Sequence, residues 1–161
     1  MKKVINGILK LQEFLGTVLL TIFFGAILLQ IAARYLGISL MWTEELANYS
    51  FIWAVFMGAS AMIYHKAHFS FTFFKDRFKG KSGLYYDIFV SAVLLTFTLP
   101  MFFYGLTIVR EFWDYNWISL PEVKMGYTWL CLPIMGFTMS LYSIFHIWEN
   151  INLARTWEDK K

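Results

Sequence analysis

From Leu46 to Tyr64 the chain carries no Asp, Glu, Lys, Arg or His. That is close to the roughly 20 apolar residues a helix needs to cross the hydrocarbon core of a bilayer. A backbone in that core has no water to bond, so it must satisfy its own N–H and C=O groups as a helix. The flanks fit such a span. Thr43 is placed to be an N-cap, its hydroxyl accepting an otherwise unpaired N–H of the first turn. Glu44 and Glu45 follow where carboxylates suit the positive end of the helix dipole. Trp42 and Tyr49 near one end, and Tyr64 at the other, suit the two interfaces. The predicted helix has two carboxylates at one mouth and His65, Lys66 and His68 at the other.

Three more apolar blocks resemble it, giving spans at about 14–33, 46–64, 86–109 and 127–148. With 58% hydrophobic and only 16% charged residues, the 161-residue chain lacks the polar surface of a soluble domain. The expected fold is an all-α integral membrane protein, a single domain of four transmembrane helices with amphipathic interfacial segments. The first block exceeds a signal-peptide core of about 7–15 residues and no A-x-A-like site follows, so it reads as an uncleaved helix. Cys131 is the one cysteine, so no disulfide forms within the chain.

Val4, Ile5, Ile8 and Leu11 can share one face of an N-terminal helix while Lys2, Lys3, Asn6 and Lys10 prefer water. That segment is either an interfacial helix or a plain positive flank. Between the second and third spans, Phe71, Phe74 and Phe78 recur on one face among Lys75 and Arg77, the pattern of a short helix lying on the membrane surface. Pro100 lies inside the third span and Pro133 inside the fourth, where each removes a helix hydrogen bond. Asp87 begins the third span. Ala54, Gly58 and Ala61 form a small-residue stripe for close helix packing, and Gly136 with Ser140 a second.

Orientation follows from Lys and Arg. Eleven of the fourteen lie in the two termini and the second connection; Arg34, Arg110 and Lys124 lie in the first and third. Both termini are expected in the cytoplasm, with the Glu44/Glu45 mouth outside.

The span interiors lack the ionisable residues that commonly mark ion and proton paths. The chain therefore reads as a partner of a larger membrane protein rather than a transporter by itself, and not as an enzyme. No spacing suggests a catalytic residue, a metal site, a phosphate loop or nucleic-acid binding. His65 or His68 with His146, at matched depth on two helices, keeps open a haem- or quinone-associated redox anchor.

Arg34-Tyr35, the run Trp42-Thr43-Glu44-Glu45-Leu46-Ala47, Trp53, Gly58-Ala59 and His68 resemble the small membrane subunit of tripartite ATP-independent periplasmic (TRAP) transporters, the DctQ-like family. Ser119-Leu120-Pro121, Tyr127 and Pro133 are similar to that family's second signature region. Asn48 stands where an arginine is frequent, and Thr72 where an acidic residue often follows the histidine. The resemblance implies a bacterial inner-membrane scaffold. It would pack on a large multi-span subunit that carries the sodium and substrate sites and moves as an elevator, while a periplasmic binding protein delivers an organic acid. The small subunit itself would hold no cofactor. Arg34, Trp42, Glu44, Glu45 and Asn48 would lie near those partners, Ala54, Gly58 and Ala61 would pack against helices, and Lys3, Lys10, Lys75, Arg77 and the three phenylalanines would meet lipid. The substrate, whether a dicarboxylate, a sugar acid such as sialic acid or another carboxylate, is a property of the partners.

Overall fold

The computed structural model describes residues 2–66 and 80–158. Its order is α1 (Lys2–Tyr35), α2 (Met41–Tyr64), α3 (Lys81–Glu111), a short α4 (Met125–Trp129) and α5 (Cys131–Glu158). Four stretches are long and apolar enough to cross a membrane, α4 and α5 together making the last. The surface segment predicted around Phe71, Phe74, Lys75, Arg77 and Phe78, together with His68 and Thr72, lies outside the described residues.

The helices form two tight pairs, α1 with α2 and α3 with α5, joined by α2 against α5. α5 is the interior helix. Within its most apolar window 61% of the residues are buried, against 6% for α1, whose sides are left to lipid or a partner. The core gathers Ile5 and Leu9 of α1, Ala61 and Ile63 of α2, and Met135, Met139, Tyr142 and Phe145 of α5.

α1 differs from the expected interfacial helix followed by a span. It is one helix of 34 residues, roughly 51 Å long at 1.5 Å per residue. The inward residues of its first turns are Ile5, Leu9 and Gln12, while Val4 and Leu11 face out. The stripe Ile5–Leu9–Gln12 runs at i, i+4 and i+7, the spacing of a packed face, and the contact with α5 holds it in the bundle. Lys2 Nζ meets Glu149 Oε1 at 2.6 Å, so both termini lie at one end; Lys3 and Lys10 are exposed.

Two other expectations are revised. Thr43 is not the N-cap. The helix starts at Met41, and Thr43 is fully buried, donating its hydroxyl to the Leu40 carbonyl at 2.6 Å. The fourth span is interrupted at Leu130, so Pro133 is the third residue of α5 rather than an interior one. A proline there cannot bond the carbonyl four residues back, and its ring crowds that group. That carbonyl belongs to Trp129, where α4 ends. Asp87, likewise, is the seventh residue of α3 and meets Lys66 Nζ at 3.0 Å instead of facing the helix start.

α3 and α5 cross at backbone contact. A Cβ on Gly136 would lie 2.5 Å from the Phe102 nitrogen, and one on Gly105 would lie 2.8 Å from the Pro133 nitrogen. Thr98 and Ser140 close the same seam with a 2.9 Å hydrogen bond. Where lipid offers no hydrophobic gain for helix pairing, such close approach is a main source of attraction. Gly136→Ala is therefore expected to lower stability by about 1–3 kcal/mol, the usual cost of overpacking, read as a lower melting temperature in detergent. Gly25→Ala, whose Cβ meets nothing within 4 Å, is expected to melt like the parent.

Candidate subunit-contact surfaces

Three features stand out as places where this bundle could act: a polar lock in its interior, an ordered loop at the mouth away from the termini, and an open groove between α1 and α2.

The lock centres on Gln12, which is 4% exposed. Its Nε2 donates to Thr138 Oγ1 at 2.9 Å, and its Oε1 accepts from the Tyr142 hydroxyl at 2.6 Å. Thr138 Oγ1 lies 3.3 Å from Ser60 Oγ and also bonds the Ile134 carbonyl. Three helices thus meet through neutral groups that satisfy one another. The network contains no carboxylate or amine, so it can fix helix register but offers no formal charge to bind an ion. In the sequence Gln12 and Glu13 look like the last polar residues before a span. The pairing of Gln12 with Thr138 and Tyr142, one turn apart on α5, is a long-range fact that local pattern does not contain.

At the opposite mouth the chain between α3 and α4 is a hairpin rather than a loose connection. Trp117 N–H bonds the Val123 carbonyl at 2.9 Å, Met125 N–H bonds that of Tyr115 at 2.7 Å, and Val123 N–H closes a turn onto Leu120 at 2.9 Å. Pro121 takes the second position of that turn, where its fixed φ fits. Glu45 anchors the tip: its two carboxylate oxygens accept the N–H groups of Ile118 at 2.9 Å and Ser119 at 2.8 Å. The Tyr49 ring packs 4.6 Å from Trp117, whose indole N–H donates to Thr128 at 2.9 Å. α2 therefore carries the platform on which the hairpin sits, and Ile118 is left 86% exposed at its tip.

The candidate interface residues separate accordingly. Glu45 is spent inside the chain, whereas Glu44, Arg34, Trp42 and Asn48 are exposed around the same mouth. Ala54 and Ala61 are largely buried but line the same α1/α2 groove as Gly58. Gly58 is open, with no atom within 4 Å of a Cβ built on it. It lies in a groove of about 510 Å³ between α1 and α2, lined also by Gly16, Thr17, Leu20 and Val55 and closed at the terminal end by Glu13 and His65. Gly16 lets α1 approach α2, its position 3.4 Å from the Met57 Cβ.

Of the histidines read as possible haem ligands, His65 and His146 each hold a protein partner, and His68 lies outside the described residues. His65 Nε2 meets Glu13 Oε1 at 2.8 Å and His146 Nε2 meets the Tyr64 carbonyl at 3.0 Å. Cys131 is fully buried.

Residues 10–153 match the family model described as "Tripartite ATP-independent periplasmic transporters, DctQ component". The chain belongs to the DctQ family. It is also 26% identical over 133 residues to the sialic acid TRAP transporter permease protein SiaT of Haemophilus influenzae (strain 86-028NP), covering 81% of this chain. It spans 21% of that protein's length. A DctQ protein is the small permease component of a TRAP transporter and not an enzyme. The four apolar helices accord with a multi-pass membrane subunit.

Glu45→Ala is expected to release the hairpin. Loss of two charge-assisted bonds at a partly exposed site should cost about 1–2 kcal/mol, and the amides of Ile118 and Ser119 should exchange with deuterium at least tenfold faster. Glu44→Ala should leave both amides unchanged.

Proposed function

We propose that this DctQ subunit is a static scaffold for sodium-driven uptake of an organic anion. Its partner is a large elevator-type membrane subunit, supplied by a periplasmic binding protein. The observation that carries the reading is the contrast between a polar lock closed on itself and an open side. The Gln12–Thr138–Tyr142 lock spends its polar groups on one another, while the groove at Gly58 is apolar, walled by helices and unfilled by the described residues. A rigid wall with a small-residue seam suits a fixed element against which another body moves.

In this reading a helix of the large subunit lies in the α1/α2 groove over Gly58. The hairpin tip at Ile118, with Arg34, Trp42, Glu44 and Asn48, faces the periplasm near the docking protein. The bias of Lys and Arg toward the termini and second connection supports termini in the cytoplasm of a bacterial inner membrane. The similarity to a sialic acid permease is compatible with a sugar-acid substrate, whose binding groups would belong to the partners.

Gly58→Trp separates a packing seam from a mere gap. The large subunit should no longer copurify in mild detergent and sodium-driven uptake should fall at least tenfold, while the variant alone melts within a few degrees of the parent. Unchanged copurification and uptake would remove the groove from the interface.

A further inference from the structure

Near the terminal end, α2, α3 and α5 enclose a second, much smaller space. It measures about 30 Å³ and is lined by Lys66, Asp87, Ser91 and His146 together with apolar Ile63 and Leu94. A water needs roughly 10–15 Å³ of such space, so there is room here for at least one.

The polar groups around it leave one account open. His146 is 6% exposed, and its Nε2 lies 3.0 Å from the Tyr64 carbonyl oxygen. A carbonyl only accepts, so Nε2 carries the hydrogen. In the neutral ring, Nδ1 is then a bare acceptor, and among the described residues it has no hydrogen-bond partner. A buried acceptor without a donor is costly. The donors on the cavity wall are otherwise directed. Lys66 Nζ lies 3.0 Å from Asp87 Oδ2, and the Ser91 hydroxyl donates to the Asp87 carbonyl at 2.8 Å. The ammonium of Lys66 still has further N–H bonds to give, and a carboxylate accepts several. A buried water needs two to four polar partners, and this cavity offers three of the right kinds.

The geometry points to a binding site for a single water molecule here. It donates one hydrogen to His146 Nδ1 and the other to the Asp87 carboxylate, and it accepts from the Lys66 ammonium. The site joins three helices at a point where their backbones make no bond to one another. It also gives a role to the one non-glycine residue with positive φ among the described residues: Lys66, at φ +51°, leaves α2 in the left-handed region. That conformation is sparsely populated outside glycine and persists where surrounding contacts hold it; the bond to Asp87 and the shared water are such contacts.

The test is solid-state NMR on the full chain with ¹⁵N-labelled histidine in phospholipid bilayers at neutral pH, with His146 assigned by its absence in His146→Gln. The expected spectrum is that of a neutral ring protonated at Nε2, with a bound-water cross-peak to Nδ1. Ser91→Leu, which fills the cavity, should abolish that cross-peak and leave the His65 signals unmoved. A doubly protonated ring, an Nδ1–H tautomer, or a parent spectrum with no water cross-peak would each overturn the site. If Ser91→Leu does not fold, the parent spectrum alone decides.

Discussion

Lipid cannot hydrogen-bond a polar group, and this constraint governs the whole bundle. An amide at Gln12 would be expensive on a helix facing acyl chains, yet it becomes an ordering device once Thr138 and Tyr142 receive it. Interhelical bonds of this kind contribute only about 0.6 kcal/mol each on average. Their larger effect is on register. If α1 slid by one turn, the Tyr142 hydroxyl would lose its acceptor in a nonpolar interior and Thr138 would lose the Gln12 donor. The same contact that buries Gln12 draws Ile5 and Leu9 inward, which is why the first turns of α1 extend the bundle instead of lying across the membrane surface.

The two helix pairs obtain their cohesion differently. α3 and α5 touch through glycines at backbone distance, with Gly136 against Phe102 and Gly105 against Pro133. α1 and α2 also pair closely, at Gly16 against Met57 and at Phe23 against Phe51, yet they leave a groove open between them at Gly58. One pair is finished by itself and the other is left incomplete. Since a surface glycine weakens a helix by roughly 0.5–1 kcal/mol relative to alanine, an open Gly58 offers nothing to this chain alone. Its use, on the proposed reading, lies with whatever fills the groove.

The four spans were legible because length and absence of charge are local properties. The starts and breaks were less so. Thr43 has the side chain of an N-cap, but burial against the bundle turned its hydroxyl back toward Leu40. Pro133 marked a disturbance in the fourth span; that the helix would break at Leu130 depended on how α5 seats against Gly105. Among the candidate contact residues, sequence could name the Glu44/Glu45 pair but not divide it. One carboxylate points into the hairpin and the other is exposed, a distinction made by residues more than seventy positions away.

That division bears on how a small subunit could present a surface to partners without a chemistry of its own. Glu45 holds Ile118 and Ser119 in place, Trp117 is wedged between Tyr49 and Thr128, and so the exposed tip is supported by α2 from beneath. A platform bound to a membrane helix keeps its position relative to the bilayer. The groove that begins one side of α2 lower down shares that helix. If a large subunit occupies the groove while a periplasmic protein reaches the mouth, both refer to α2, and its rigidity sets their separation. The absence of ionisable groups from the span interiors is then not a deficiency. On the proposed reading, a wall with so few ionisable groups in its spans would leave the energetics of a coupled neighbour undisturbed.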